Sequence, residues 1–133
     1  MNNGYLFMIY SHKDKERVIA IRDFLVENGI HVWDDTQLLQ GDNEVETIAT
    51  KILDSNTVLA VVSNNFMESA FCTKELKYAT YEKKPIILAL DDNIDMPAGY
   101  ELLFSDLEHI SLGDFQTNAE TRERFLALVR RYF

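Results

Sequence analysis

A chain of 133 residues, 47% hydrophobic and 26% charged, has the size of one domain and enough apolar side chain for a substantial core. That excludes a disordered polymer, and no apolar run approaches the ~20 residues that a membrane-spanning helix needs. The net charge is −9 and the basic residues are scattered, apart from small groups such as Lys83-Lys84 and Arg130-Arg131, which disfavours a general nucleic-acid or anionic-membrane binder.

Five apolar, β-prone runs stand out, and helical patterns separate the first four. In chain order, "YLFMIY" (5–10) reads as the first strand. A helix over about 13–27 follows, with Val18, Ile21, Phe24 and Leu25 on one face and Asn28-Gly29 as its stop. "IHVW" (30–33) is a short second strand. A helix over about 42–53 repeats Val45, Ile48 and Ile52, with Asp42 as the expected N-cap. "TVLAVVS" (57–63) is the third strand and is followed by a helix over about 69–82. "PIILAL" (85–90) and the weaker "LEHISL" (107–112) complete the strands, and a last helix covers about 119–132 with Phe125, Leu128, Val129 and Tyr132. Near-continuous apolar runs suit strands buried on both faces of a parallel sheet. The alternation therefore predicts a single α/β domain over 1–133, a flavodoxin-like three-layer fold. Its five-stranded parallel sheet has the order 2-1-3-4-5, with helices on both faces.

Ligands in such folds bind beyond the carboxyl ends of the strands, at the switch point beside strand one. Ser11-His12-Lys13-Asp14 follows that strand and reads either as an ordinary helix start or as an anion site. No GxGxxG or GxxxxGK[ST] is present, so hydride chemistry on a dinucleotide fold and P-loop hydrolysis lack support. "WDDTQLLQGDNEVE" (33–46) reads as a solvated acidic connection or as acids that accept ribose hydroxyls. A phospho-receiver would need an acidic pair after strand one and a lysine after the last strand, where this chain has "IYSH" and "SLGD". His12, His31 and His109 have no second ligand at metal spacing, and no metal site is expected. The one cysteine, Cys72, cannot form an internal disulfide. The N-terminus, "MNNGYLFMIYSHKDKE", lacks a basic n-region and a cleavage site, and both features lead us to expect a cytoplasmic protein.

"SAFCTKELKYA" (69–79) raises the sharpest question. At ~100° per residue, Cys72, Leu76 and Ala79 should face the sheet, while Lys74, Lys77 and Tyr81 point outward. Phe71, Glu75 and Tyr78 form a stripe between, which sets Glu75 in an aromatic frame at the edge of the core. The ordinary reading is a boundary glutamate paired with Lys74 or another neighbour. Cys72 reads as a small core residue, since nothing nearby would lower its pKa.

Three motifs resemble those of Toll/interleukin receptor (TIR) domains. "LFMIYSHKD" is similar to their first box, usually close to "VFISYSHKD". "GIHVWDDTQLLQGDNEVETI" resembles their BB loop and the helix after it, and "VVSNNFMESAFCTKEL" resembles their segment ending in "WCxxEL". The resemblance covers essentially the whole chain in order and spacing, is strongest over 5–90, and looks most like the microbial, bacterial branch. It implies an NAD+ nucleosidase that cleaves the nicotinamide–ribose bond to give nicotinamide with ADP-ribose or, as an ADP-ribosyl cyclase, a cyclic isomer. NAD+ is then the substrate, with no further cofactor, and the setting is antiviral or stress signalling.

By this resemblance the key glutamate of W-x-x-x-E maps onto Glu75. The loop after the first box, which helps bind the dinucleotide, maps onto Tyr10, Ser11 and His12, and the acidic start of the BB loop onto Asp34 or Asp35. Alignment from Gly29 favours Asp35, whereas counting back from Gly41 favours Asp34, so both stay open. Bond cleavage through an oxocarbenium-like transition state needs one carboxylate to steady the developing charge, because nicotinamide leaves as a neutral base. Phe71 and Tyr78 would strengthen that attraction by excluding water and would offer stacking faces. Two departures stand out. Phe71 occupies the usual Trp position, which bears on cyclisation against hydrolysis, and Ile9 replaces the usual Ser. The family also implies self-association through TIR–TIR contacts and, in the same protein or pathway, a sensor or effector domain. The competing reading is a non-catalytic TIR–TIR scaffold. A third, weaker one is a 2-deoxyribosyltransferase-like activity.

Overall fold

The computed structural model describes residues 4–133. Its five strands are β1 (Leu6–Ile9), β2 (Val32–Trp33), β3 (Thr57–Val62), β4 (Ile86–Leu90) and β5 (Glu108–Ser111). They form one sheet in the order β2-β1-β3-β4-β5, and every pair is parallel. The helices are α1 (Lys15–Glu27), α2 (Glu44–Asp54), α3 (Asn64–Glu68), α4 (Ala70–Tyr81), α5 (Ala98–Phe104) and α6 (Ala119–Arg130). This is the doubly wound, flavodoxin-like arrangement expected from the alternation.

Side chains of a strand alternate between faces, so each central strand feeds two cores. Leu6, Met8, Leu59, Val61, Ile87 and Ala89 pack under α1 and α6, against Val18, Ile21, Leu25, Phe125 and Val129. Phe7, Ile9, Val58, Ala60, Val62 and Leu88 pack under α2, α3 and α4, against Ile48, Ile52, Phe66, Leu76 and Ala79. A fully buried leucine such as Leu76 contributes about 1.5–3 kcal/mol relative to leaving it in water.

Several local details differ from the sequence expectation. Ser11 caps a single 3-10 turn, His12–Asp14, and α1 begins only afterwards. The cap of α2 is Asn43, whose side chain accepts from the Glu46 N–H at 3.0 Å. Asp42 instead accepts from the Leu39 N–H at 2.8 Å, closing the loop in front of the helix. Val45, expected on the buried face of α2, is 73% exposed. The pattern gave no sign of α3 and α5, which are 5 and 7 residues long, too short for a face to repeat. The final helix stops at Arg130, short of Tyr132. Gly29 ends α1 at φ +83°, a conformation that favours glycine. Among the described residues, no helix is long and apolar enough to cross a membrane.

Candidate active site

The carboxyl ends of β1, β2 and β3 open into a cleft of about 520 Å³. One wall is the turn after β1, where Tyr10, Ser11, His12 and Lys13 line the opening. Asp35, just beyond β2, and Glu44 and Ile48 of α2 form a second wall. Asn65 and Glu68 of α3, with Ser69, Phe71, Cys72 and Glu75 at the start of α4, form the third. Three stretches that lie far apart in sequence, Tyr10-Ser11-His12, Asp35 and Glu75, therefore share one cavity at the switch point of the sheet.

Local sequence sets the orientation of Glu75. Ser69 caps α4 by accepting from the Cys72 N–H at 3.2 Å. Cys72, Leu76 and Ala79 are buried against the sheet, which fixes the rotation of the helix and leaves Glu75 at the edge of that stripe. From the far side, the Tyr100 hydroxyl of α5 donates to the Met67 carbonyl at 2.9 Å and lies 2.7 Å from Thr73 Oγ1, pinning the α3–α4 junction. The Glu75 carboxyl is pushed up to about 8, first by burial and then by the nearby charges of Asp35 and Glu44. No ion pair forms on Glu75 among the described residues, so the expected partnership with Lys74 is not made.

The two acids after β2 separate in space. Asp34 is fully buried and lies outside the cleft, with one oxygen 2.9 Å from Arg22 Nη1 and the other accepting from the Thr36 N–H at 2.9 Å and its hydroxyl at 2.5 Å. Asp35 lines the cleft, and both its oxygens lie 3.0 Å from His12 Nε2. The His12 ring in turn leans on Tyr10, at 5.4 Å between centroids. Burial, then the charges of Asp34 and Asp35, pushes the Tyr10 hydroxyl up to about 12, so it remains a protonated donor.

The aromatic frame is looser than its helical spacing suggests. Phe71 is 61% exposed, on the rim that the cleft shares with a second, apolar groove of about 410 Å³ between α2 and α4. Tyr78 lies in that groove, with Val45, Ile52 and Lys74, and does not line the cleft. Glu75, Glu44, Ile48 and Phe71 border both spaces. On the cleft side Met8, Ile48 and Cys72 supply the apolar lining beside Glu75. Burial holds the Cys72 thiol up at about 11, consistent with a core residue rather than a nucleophile. Sequence reasoning missed Glu44, Asn65, Glu68 and Ser69 as lining residues. Only the Asn43 and Ser69 capping positions could have signalled where two of these helices begin.

A doubly wound α/β domain with a carboxylate cleft at its switch point is thus the class that fold and site define. The sequence profile of the TIR domain matches residues 6–128, and the chain belongs to that family. It is 33% identical over 72 residues to the NAD(+) hydrolase TirS of Staphylococcus aureus (strain MSSA476). That match covers 53% of this chain and 26% of the relative, so the matched stretch is about a quarter of that protein's length. Among solved structures, the TIR domain of the Toll-related receptor TRR-2 from Hydra magnipapillata superposes with TM-score 0.76 at 21% identity, covering 95% of this chain and 94% of that one. A Clostridium botulinum CMP N-glycosidase, BcmB, superposes with TM-score 0.63 at 18% identity, covering 95% of this chain and 98% of that one. At these identities the structural likenesses speak for the fold alone.

Proposed function

We propose that this domain hydrolyses NAD+ at the nicotinamide–ribose bond, with Glu75 as the catalytic carboxylate. The observation that carries the reading is the convergence of Glu75 with Tyr10, Ser11, His12 and Asp35 in one cleft at the carboxyl edge of the sheet. The partial relative named as an NAD(+) hydrolase supports it.

Four carboxylates, Asp35, Glu44, Glu68 and Glu75, line the cleft together with His12 and Lys13, and Asp35 lies against His12. His12, Lys13 and the turn after β1 form an end suited to a pyrophosphate, while Glu75 and Glu44 stand beside the apolar rim. A dinucleotide that is anionic at its centre and cationic at its pyridinium fits these two places. In the reaction the bond between ribose C1′ and the pyridinium nitrogen breaks, and its electron pair goes to the nitrogen, giving neutral nicotinamide. Ionised Glu75 accepts hydrogen bonds from the ribose hydroxyls and stabilises the oxocarbenium-like charge at C1′. Water then adds to C1′ and releases a proton, giving ADP-ribose; attack by a nucleophile within the same molecule gives a cyclic isomer instead. The pyridinium charge of bound NAD+ favours the ionised form of Glu75, opposing the burial that disfavours it.

The exposed Val45 and Phe71 beside the cleft support TIR–TIR self-association as part of the same proposal. The proposed setting is cytoplasmic antiviral or stress signalling, with activation through a sensor or effector domain. The decisive experiment is incubation of concentrated protein with NAD+, following nicotinamide release and resolving the products. Release that vanishes in a folded Glu75→Ala protein supports the reading. Release unchanged by that substitution overturns it, and the product peak distinguishes hydrolase from cyclase.

A further inference from the structure

Asp14 stands at the N-cap of α1, where an aspartate ordinarily accepts from the first N–H groups of its own helix. Here its side chain makes no such bond. One carboxylate oxygen instead accepts from the Ser63 hydroxyl at 2.5 Å, and the other accepts from Asn65 Nδ2 at 2.8 Å, some 50 residues along the chain. Ser63 closes β3 and caps α3, its hydroxyl oxygen accepting from the Phe66 N–H at 3.0 Å. Asn65 lines the cleft, whereas Asp14 does not. On its own side Asp14 is held to the turn after β1, because its N–H donates to the Ser11 carbonyl at 2.9 Å. One turn further on, Arg17 pairs with Asp91 at the end of β4, so the start of α1 is tied to a second strand end as well.

We infer that Asp14 is a positioning residue for dinucleotide binding, locking the Ser11–Lys13 turn to the Ser63–Asn65 corner so that the phosphate-facing wall stands at a fixed distance from Glu75. The inference rests on the reading of the cleft as an NAD+ site. A helix that forgoes its own cap for two long-range bonds has a geometric reason to do so. The turn and the α3–α4 corner are separate walls of one cleft, and a misplacement of about 1 Å between groups that grip one substrate can cost a hundredfold in rate. The amide of Asn65 is also oriented by this bond, with its nitrogen turned to Asp14.

The test compares four folded proteins: wild type, Asp14→Asn, Asn65→Asp, and the double variant that exchanges the two side chains. Asp14→Asn replaces one of the two acceptor oxygens with a donor, so Ser63 and Asn65 no longer both find an acceptor, while Asn65→Asp sets two carboxylates face to face. The exchange restores one donor opposite one acceptor and leaves Ser63 a partner. Thermal melts establish folding first. We expect each single variant to raise KM for NAD+ about tenfold or more with a smaller change in kcat, and the exchange to recover most of that loss. Calorimetric binding of ADP-ribose should weaken and recover in the same order. Nicotinamide riboside, which has no phosphate, should show no penalty from Asp14→Asn. Single variants with unchanged KM and ADP-ribose affinity overturn the positioning role, as does a loss that the exchange fails to restore. A wild-type protein that binds ADP-ribose but releases no nicotinamide overturns the hydrolase reading and leaves the binding comparison decisive for Asp14. Wild-type protein that does neither overturns both.

Discussion

His12 Nε2 lies 3.0 Å from each carboxylate oxygen of Asp35, joining the turn after β1 to the turn after β2 along the edge of the cleft. The two residues are 23 positions apart in the chain and meet because β1 and β2 are neighbours in register, Phe7 beside Trp33. His12 is mostly exposed, so the contact is open to water and salt. Its stabilising effect should be small, about 1 kcal/mol or less. Asp35→Asn should therefore leave the thermal melt within a few degrees of wild type while lowering the high-pH plateau of kcat/KM for NAD+. A large loss of stability would assign the pair a structural role instead.

Glu75 should weaken the fold that holds it. Its folded pKa, about 8, lies above the ordinary carboxylate value, so the folded protein binds the proton more tightly than the unfolded chain does. The associated stability is fully present below the unfolded pKa and is lost as pH rises through about 8. Glu75→Gln cannot ionise and escapes that loss. The variant should be inactive yet more stable than wild type by on the order of a few kcal/mol above pH ~8, with the advantage vanishing near pH ~4. Urea melts of both proteins at several pH values would measure this. A stability difference that does not change with pH would refute it.

The pH dependence of turnover has the same origin. If catalysis needs ionised Glu75, kcat/KM rises with pH toward a plateau whose midpoint reports the free enzyme, close to 8. Asp35 and Glu44 both raise that midpoint by charge, Asp35 more strongly. Asp35→Asn and Glu44→Gln should each move the rising limb to lower pH, with the larger displacement from Asp35→Asn. A pH–rate profile of the three proteins checks both the direction and the ranking.

Asp34 calls for the opposite pattern from its neighbour. It is fully buried, and its oxygens are taken by Arg22 and Thr36, while the Arg22 side chain keeps 29% exposure. Asp34→Ala strands a partly buried guanidinium and an unpaired N–H. It should cost about 2–4 kcal/mol of stability, below the full buried-pair penalty because water still reaches Arg22. At temperatures where the variant remains folded, NAD+ turnover should be close to normal. Denaturant melts with parallel activity measurements separate the two effects.

The sequence by itself determined the sheet, its order and the buried faces of α1, α4 and α6. Continuous apolar strands and 3.6-residue stripes are local signals, and right-handed crossovers leave one simple topology for them. It also put Cys72, Leu76 and Ala79 on the buried face of α4, because helical rotation follows from spacing alone. Tertiary structure separated Asp34 from Asp35, adjacent acids of which one meets Arg22 of α1 and the other lines the cleft. It also decided that Phe71 lies open on a rim and that Tyr78 belongs to the neighbouring groove, since exposure at a helix edge depends on how far away the next helix packs. The turn after β1, Asp35, Glu44 and Glu75 come within one cleft only when three strand ends are laid side by side. The ionisation of Glu75 follows from that assembly, because burial and the fields of Asp35 and Glu44 exist only in the folded chain.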